Sequence, residues 1–250
     1  MRTSTLITTY LQAFIFAVLG LRCVMAWMRG RDKRSAHLAW AAGLFGLSSA
    51  IGAITSTIYD STKGELTPRW EQVLSSIIIF LSIYAFLLFL SDFIPFPAWI
   101  HVSLIVATIA TIVFAIIERP DVYYDANFQK HAIPGVHNPI PYLSYIGYVL
   151  VYLAVAFGVL AVAFLIYGFR TSALARFRML CIGSGFLLLA IVIGLLPRLL
   201  FGDPSAQTIK TLLNALRYVA LASGPLLLVG FAPPKFVRDR FPEAAMQTIG

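Results

Sequence analysis

Seven times along this chain a run of about twenty or more residues passes with almost no charged side chain, each run ending in a short polar, basic or proline-bearing connection. The runs extend over approximately residues 5–28, 37–59, 71–90, 98–117, 142–169, 177–201 and 208–232. A bilayer core of about 30 Å takes ~20 residues of helix to cross. Within it every backbone N–H and C=O must be satisfied, which a lone run achieves only as a helix. The runs are apolar all round rather than along one stripe, as suits helices surrounded by lipid and by one another. The expected fold is an all-α, integral membrane seven-helix bundle over residues 1–234, followed by a short basic tail over 235–250.

Composition agrees. Charged residues make up 12% of the chain, about half the share usual in soluble domains, and the mean hydropathy is +0.83. The net charge of +8 does not point to nucleic acid, because the basic residues punctuate apolar runs instead of gathering on one soluble face. They read as membrane-border residues, and they set the direction of insertion. Ten lie in RGRDKR (29–34), RTSALARFR (170–178) and KFVRDR (235–240), six lie toward the other side, and Arg22, Arg198 and Arg217 fall deeper within runs. This bias predicts an N-terminus outside and a C-terminus in the cytoplasm. The first run is too long for the apolar part of a signal peptide and has no cleavage site after it, so it reads as a retained helix. Cys23 and Cys181 both fall near the cytoplasmic ends of their spans and read as thiols.

The longest connection, ERPDVYYDANFQKHAIPGVHNPIP (118–141), is expected outside as an ordered lid. Ala42, Gly46 and Ala50 form a small-residue face on the second span, suited to close helix packing within the chain. On the sixth span Gly183, Gly185 and Gly194 precede Pro197, where a kink is expected. No internal repeat is evident, which weakens an inverted-repeat transporter reading.

The polar residues inside the runs are the candidate site. Lys210, Asn214 and Arg217 fall at i, i+4 and i+7, on one helical face. Arg217 lies roughly 14 Å from the outer end of its span, a depth at which an arginine costs about 2.5–3.5 kcal/mol on insertion scales. No acid lies at that depth: Glu71 and Glu118 stand at the outer boundary and Asp92 at the inner one. Arg217 is therefore expected either to anchor the bundle or to hold an anionic ligand. On the fifth span Tyr142, Tyr145, Tyr148 and Tyr152 again share a face, and the last two are too deep for an aromatic belt. The expected pocket opens outward between spans five, six and seven, with Arg217, Asn214, Lys210, Arg198, Tyr145, Tyr148 and Tyr152 as ligand-binding candidates.

Several chemistries have no residues to carry them. Arginine cannot replace the mid-helix lysine on which microbial rhodopsins hang retinal. The four histidines form no HxxxH or HExxH pair for a zinc site. Nucleophile elbows, phosphate loops and CxxC pairs are missing. No catalytic residue, metal or cofactor is assigned, and the chain reads as a non-enzyme.

LSDFIPFPAWI (90–100), GFAPPKFVRDRF (230–241) and TPRWEQ (67–72) resemble segments in the N-terminal seven-transmembrane sensor region of bacterial sensor histidine kinases and related receptors. The resemblance covers the bundle in span count and orientation and about thirty residues in motif; Phe236 stands where that family usually has tryptophan. It implies a multi-pass protein of the bacterial inner membrane whose seventh span transmits a signal. The kinase output that normally follows the APP segment is not expected here, since nine residues follow Phe241. The reading is a membrane sensor that binds a small anionic or amphipathic ligand in the outer half of the bundle. It would signal through the cytoplasmic exit of the seventh span, to a cytoplasmic or membrane partner. Pro197 and Gly224-Pro225 are hinge candidates. The alternatives are a small transporter or channel subunit, or a ligand-free membrane scaffold.

Overall fold

The computed structural model describes the backbone of residues 2–30, 33–59, 69–119, 122–124, 130–137, 142–201 and 206–241. Within these, it describes all side chains except those of residues 2–6, 9, 56, 72, 122–124, 130, 142–146, 197–201, 206, 207, 209, 210, 213, 214 and 217. Seven long helices follow one another: α1 (Arg2–Gly30), α2 (Lys33–Ile58), α3 (Arg69–Ser91), α4 (Ala98–Ile117), α5 (Tyr142–Arg170), α6 (Ala173–Phe201) and α7 (Ala206–Phe231). A one-turn helix, α8 (Lys235–Arg238), closes the described chain. Most helices run a few residues past the apolar limits, because lysine and arginine at the borders are good helix formers. Pro95 and Pro97 hold the turn before α4, and Pro234 caps α8.

Among the described residues, six helices contain a stretch long and apolar enough to cross a membrane: Tyr10–Gly30, Lys33–Thr55, Arg69–Ser91, Ala98–Ile117, Gly147–Arg170 and Ala173–Leu196. In α7 the corresponding apolar stretch among the described residues, Tyr218–Phe231, is shorter.

Contacts between particular residues fix the chain directions. Ser82 Oγ donates to the carbonyl of Ala41 at 2.7 Å and the hydroxyls of Ser48 and Ser75 lie 3.0 Å apart, which makes α2 and α3 antiparallel. Gly224 meets Ile15, and Arg22 meets Ala232, which makes α1 and α7 parallel. Phe80 packs on Tyr152 and Phe89 on Phe164, so α3 and α5 are also parallel. Helices α1, α2, α3, α5, α6 and α7 form a closed ring, and α4 lies outside it against α3. One end of the bundle, the basic end, therefore gathers Arg29, Lys33, Arg34, Arg170, Arg176, Arg178, Lys235, Arg238 and Arg240.

Lipid offers apolar helices no hydrophobic reason to associate, so close packing and interhelical hydrogen bonds must hold them. At the α1–α2 crossing a Cβ on Gly20 would lie 2.9 Å from the Cα of Gly43, and one on Gly46 would lie 3.0 Å from the backbone of Phe16 and Ala17. The small-residue face of α2 is thus spent within the chain, with Gly43 and Gly20 joining the expected Gly46. The α5–α6 contact is similar: a Cβ on Gly183 would lie 2.9 Å from the backbone N of Leu165.

The all-helical expectation needs one addition. The long connection contains an antiparallel hairpin, β1 (Val122–Tyr124) with β2 (Lys130–Ala132), in the register Val122↔Ala132, Tyr123↔His131 and Tyr124↔Lys130. A Pro134-Gly135 turn follows, with Gly135 at φ 77°, the value that position i+2 of a type II turn requires. Strands of three residues leave too little alternation to be read from sequence.

Candidate functional site

Of the seven ligand-binding candidates, the side chains of Lys210, Asn214, Arg217, Arg198 and Tyr145 lie outside the described residues, as does that of Pro197. Tyr148 and Tyr152 are described, and their ring and hydroxyl contacts among the described residues are with α3 and α4. Tyr152 lies 3.2 Å from the hydroxyl of Thr108 on α4 and packs edge-on against Phe80 of α3. Thr108 already donates to the carbonyl of Leu104 at 2.7 Å, so Tyr152 is the donor between the two. Tyr148 packs against Phe114 of α4. Tyr148 and Tyr152 thus join α5 to the peripheral helix α4. The reason is geometric: a one-face spacing says which residues share a face but not which helix that face meets.

The best-defined polar site lies at the basic end, where α7 leaves the bundle. A helix C-terminus presents carbonyls without intrahelical partners and a partial negative charge. Here two guanidiniums meet them. Arg178 of α6 donates from Nε to Gly230 O at 3.0 Å and from Nη2 to Phe231 O at 3.3 Å. Arg22 of α1 donates to Ala232 O at 3.3 Å. The helices lie close enough for this because Gly230 has no side chain: a Cβ there would lie 2.5 Å from Ile182 Cγ1. Beyond Pro233 and Pro234, Val237 is buried and Phe241 packs near Phe177.

A second cluster ties α2, α3 and α5 together at the same end. His37 Nδ1 lies 2.7 Å from Asp92 Oδ2, and Lys33 Nζ lies 3.8 Å from Asp92 Oδ1. The next residue, Phe93, accepts a hydrogen bond on its carbonyl from Tyr167 at 3.0 Å, and the Arg34 guanidinium sits 5.1 Å from its ring.

Phenylalanine rings connect the two clusters. Phe93 packs on Phe89, Phe89 on Phe231 at 5.7 Å, and Phe231 on Phe86, Phe164 and Phe186. The chain of rings continues through Phe157 and Phe45 to Phe16. The axis of the ring of helices is therefore filled with aromatic side chains from mid-bundle to the basic end.

The opposite end holds buried acids. Glu71, in the first turn of α3, is buried within hydrogen-bonding reach of Thr55. Arg69 caps α4 by donating to the carbonyls of Ile116, Ile117 and Glu118. Glu118 itself is 2% exposed, and among the described residues neither of its carboxyl oxygens has a hydrogen-bond partner. His101 packs near Phe96, and among the described residues no group of His, Cys, Asp and Glu could hold a metal ion. Cys23 and Cys181 are both free thiols.

Sequence reasoning assigned Arg178 to a border loop and Arg22 to a span without a role. Their one legible signal was a basic residue near the basic end of a helix, a signal the neighbouring arginines share. No family model, curated protein or solved structure matches the chain.

Proposed function

We propose that the chain is a seven-span membrane sensor, with its N-terminus outside and its basic end in the cytoplasm. It takes a small anionic or amphipathic ligand in the half of the bundle opposite the basic end and reports binding through the exit of α7. The observation that carries this reading is the clasp on α7. Its last carbonyls are held by Arg178 and Arg22, and its last ring, Phe231, packs on α3, α5 and α6. Any rotation or shift of α7 must rearrange charge-assisted hydrogen bonds at the membrane border, each worth about 1.5–3 kcal/mol. Such a joint converts a small helix motion into a discrete change at the tail.

Arg217, flanked on its stripe by Asn214 and Lys210, supplies the positive field for the ligand, with Arg198 contributing from α6. To switch the protein, the ligand must bind the two arrangements of α7 with different affinity. The concentration of basic residues at one end supports the cytoplasmic assignment. The resemblance of LSDFIPFPAWI and GFAPPKFVRDRF to sensor-kinase membrane regions supports a bacterial inner-membrane receptor that signals to a cytoplasmic or membrane partner.

Native mass spectrometry of gently solubilised wild type beside Arg217→Ala tests the proposal. A small-molecule adduct retained by the wild type and lost from a folded mutant is the expected result. Adduct-free spectra for both, with a large loss of stability in the mutant, would make Arg217 a structural anchor and favour the scaffold reading. The aromatic-filled axis weighs against a transporter or channel, because a permeation path needs polar or hydrated space where these rings sit.

A further inference from the structure

On the face of the bundle turned away from its axis, α1 and α2 enclose a groove of about 240 Å³, lined by Val24 and Trp27 of α1 and Trp40, Gly43, Leu44 and Leu47 of α2. The close approach at Gly20 brings the two helices together. Gly43 leaves the space above its own Cα empty, since a Cβ added there would meet nothing within 4 Å. The lining side chains are apolar but for the two indole N–H groups, and Trp27 and Trp40 are both well exposed.

Lys33, Trp40 and Leu47 are spaced by seven residues and lie on one stripe of α2. At 1.5 Å per residue, the lysine stands roughly 10 Å above Trp40 and the groove descends roughly 10 Å below it. This is the vertical order of a phospholipid: charge at the border, amphipathic rings at the interface, hydrocarbon beneath. The Lys33 side chain is 78% exposed and only 3.8 Å from Asp92, whose carboxylate already has His37 at 2.7 Å. The ammonium therefore keeps donors turned outward.

We propose that this groove binds one acyl chain of an anionic phospholipid from the leaflet at the basic end, with its phosphate on the ammonium of Lys33. The site is on the outside of the bundle and does not depend on the sensor reading. It requires only that α1 and α2 cross a membrane.

The test uses the full chain in lipid nanodiscs containing phosphatidylglycerol or phosphatidylcholine with the same diazirine-bearing acyl chain. Labelled residues are mapped by peptide mass spectrometry, with native masses recorded on the same samples. Labelling of the peptide spanning Trp40 to Leu47 is expected to be about fivefold greater with phosphatidylglycerol, the preference one lysine near an anionic surface gives. Gly43→Leu, which fills the groove, should abolish that labelling while leaving labelling of α4 unchanged. Lys33→Gln should keep phosphatidylcholine labelling and lose the preference, and it decides the matter should Gly43→Leu fail to fold. Equal labelling by the two lipids in the wild type, or undiminished labelling in folded Gly43→Leu, would overturn the proposal. A dimer free of lipid that Gly43→Leu dissociates would also overturn it, the occupant then being a second copy of the chain.

Discussion

The Nε of Arg178 on α6 donates to the carbonyl oxygen of Gly230 on α7 at 3.0 Å, across 52 residues of chain. Together with the bond from Nη2 to Phe231, it ends the last long helix in a charged clasp instead of in water. Arg178→Gln keeps the β, γ and δ carbons and removes the charge and the reach of the guanidinium. The expected loss is about 1.5–3 kcal/mol of stability, with faster amide exchange in residues 231–241. Unchanged exchange there would mean that the packing of Phe231 alone holds the exit.

Gly20 and Gly43 meet at one crossing, yet their substitutions should differ in sign. Alanine at Gly20 places a methyl 2.9 Å from the Cα of Gly43, and backbone cannot yield cheaply, so overpacking should cost about 1–3 kcal/mol. Alanine at Gly43 points into open space and should be neutral, or stabilising by up to about 1 kcal/mol from helix propensity. Thermal unfolding of the two variants in one detergent compares them directly. Equal destabilisation would contradict the crossing geometry.

His37 and Asp92 form a largely buried pair at 2.7 Å. A double-mutant cycle with His37→Gln and Asp92→Asn should return a coupling energy between about 0.5 and 3 kcal/mol, the range for residues in contact. Additive effects would show that the contact contributes no stability.

Glu118 is buried with neither carboxyl oxygen hydrogen-bonded among the described residues. Removing an unsatisfied buried group recovers about 1–3 kcal/mol, so Glu118→Met is expected to raise the melting temperature. A destabilised Glu118→Met would instead mean that the carboxyl holds a proton donor or ligand that keeps the connection after α4 in place.

His137 and Ser172 are both exposed and lie at opposite ends of the bundle. Single cysteines placed there in a background without Cys23 and Cys181 should respond oppositely to a membrane-impermeant thiol reagent on intact cells. Labelling of His137→Cys, with Ser172→Cys labelled only after permeabilisation, is the expected pattern. The reverse would invert the proposed orientation.

The helices themselves were legible in the chain. A run of twenty apolar residues must satisfy its own backbone in lipid, and only local hydrogen bonding does so, which is why α4 begins and ends where its sequence says. The location of the basic end followed from the same local pattern once the helices alternated in direction. Which faces meet was not legible. Tyr148 and Tyr152 share a face by spacing, but only packing decided that α4 lies against it. Arg22 reaches Ala232 across 210 residues, and no local pattern marks such a partner. The burial of Glu118 and the open space over Gly43 likewise depend on how neighbouring helices approach. Hydrophobic run length is a property of one segment, whereas a clasp, an orphaned carboxyl or a groove belongs to two or more segments and exists only once they have packed.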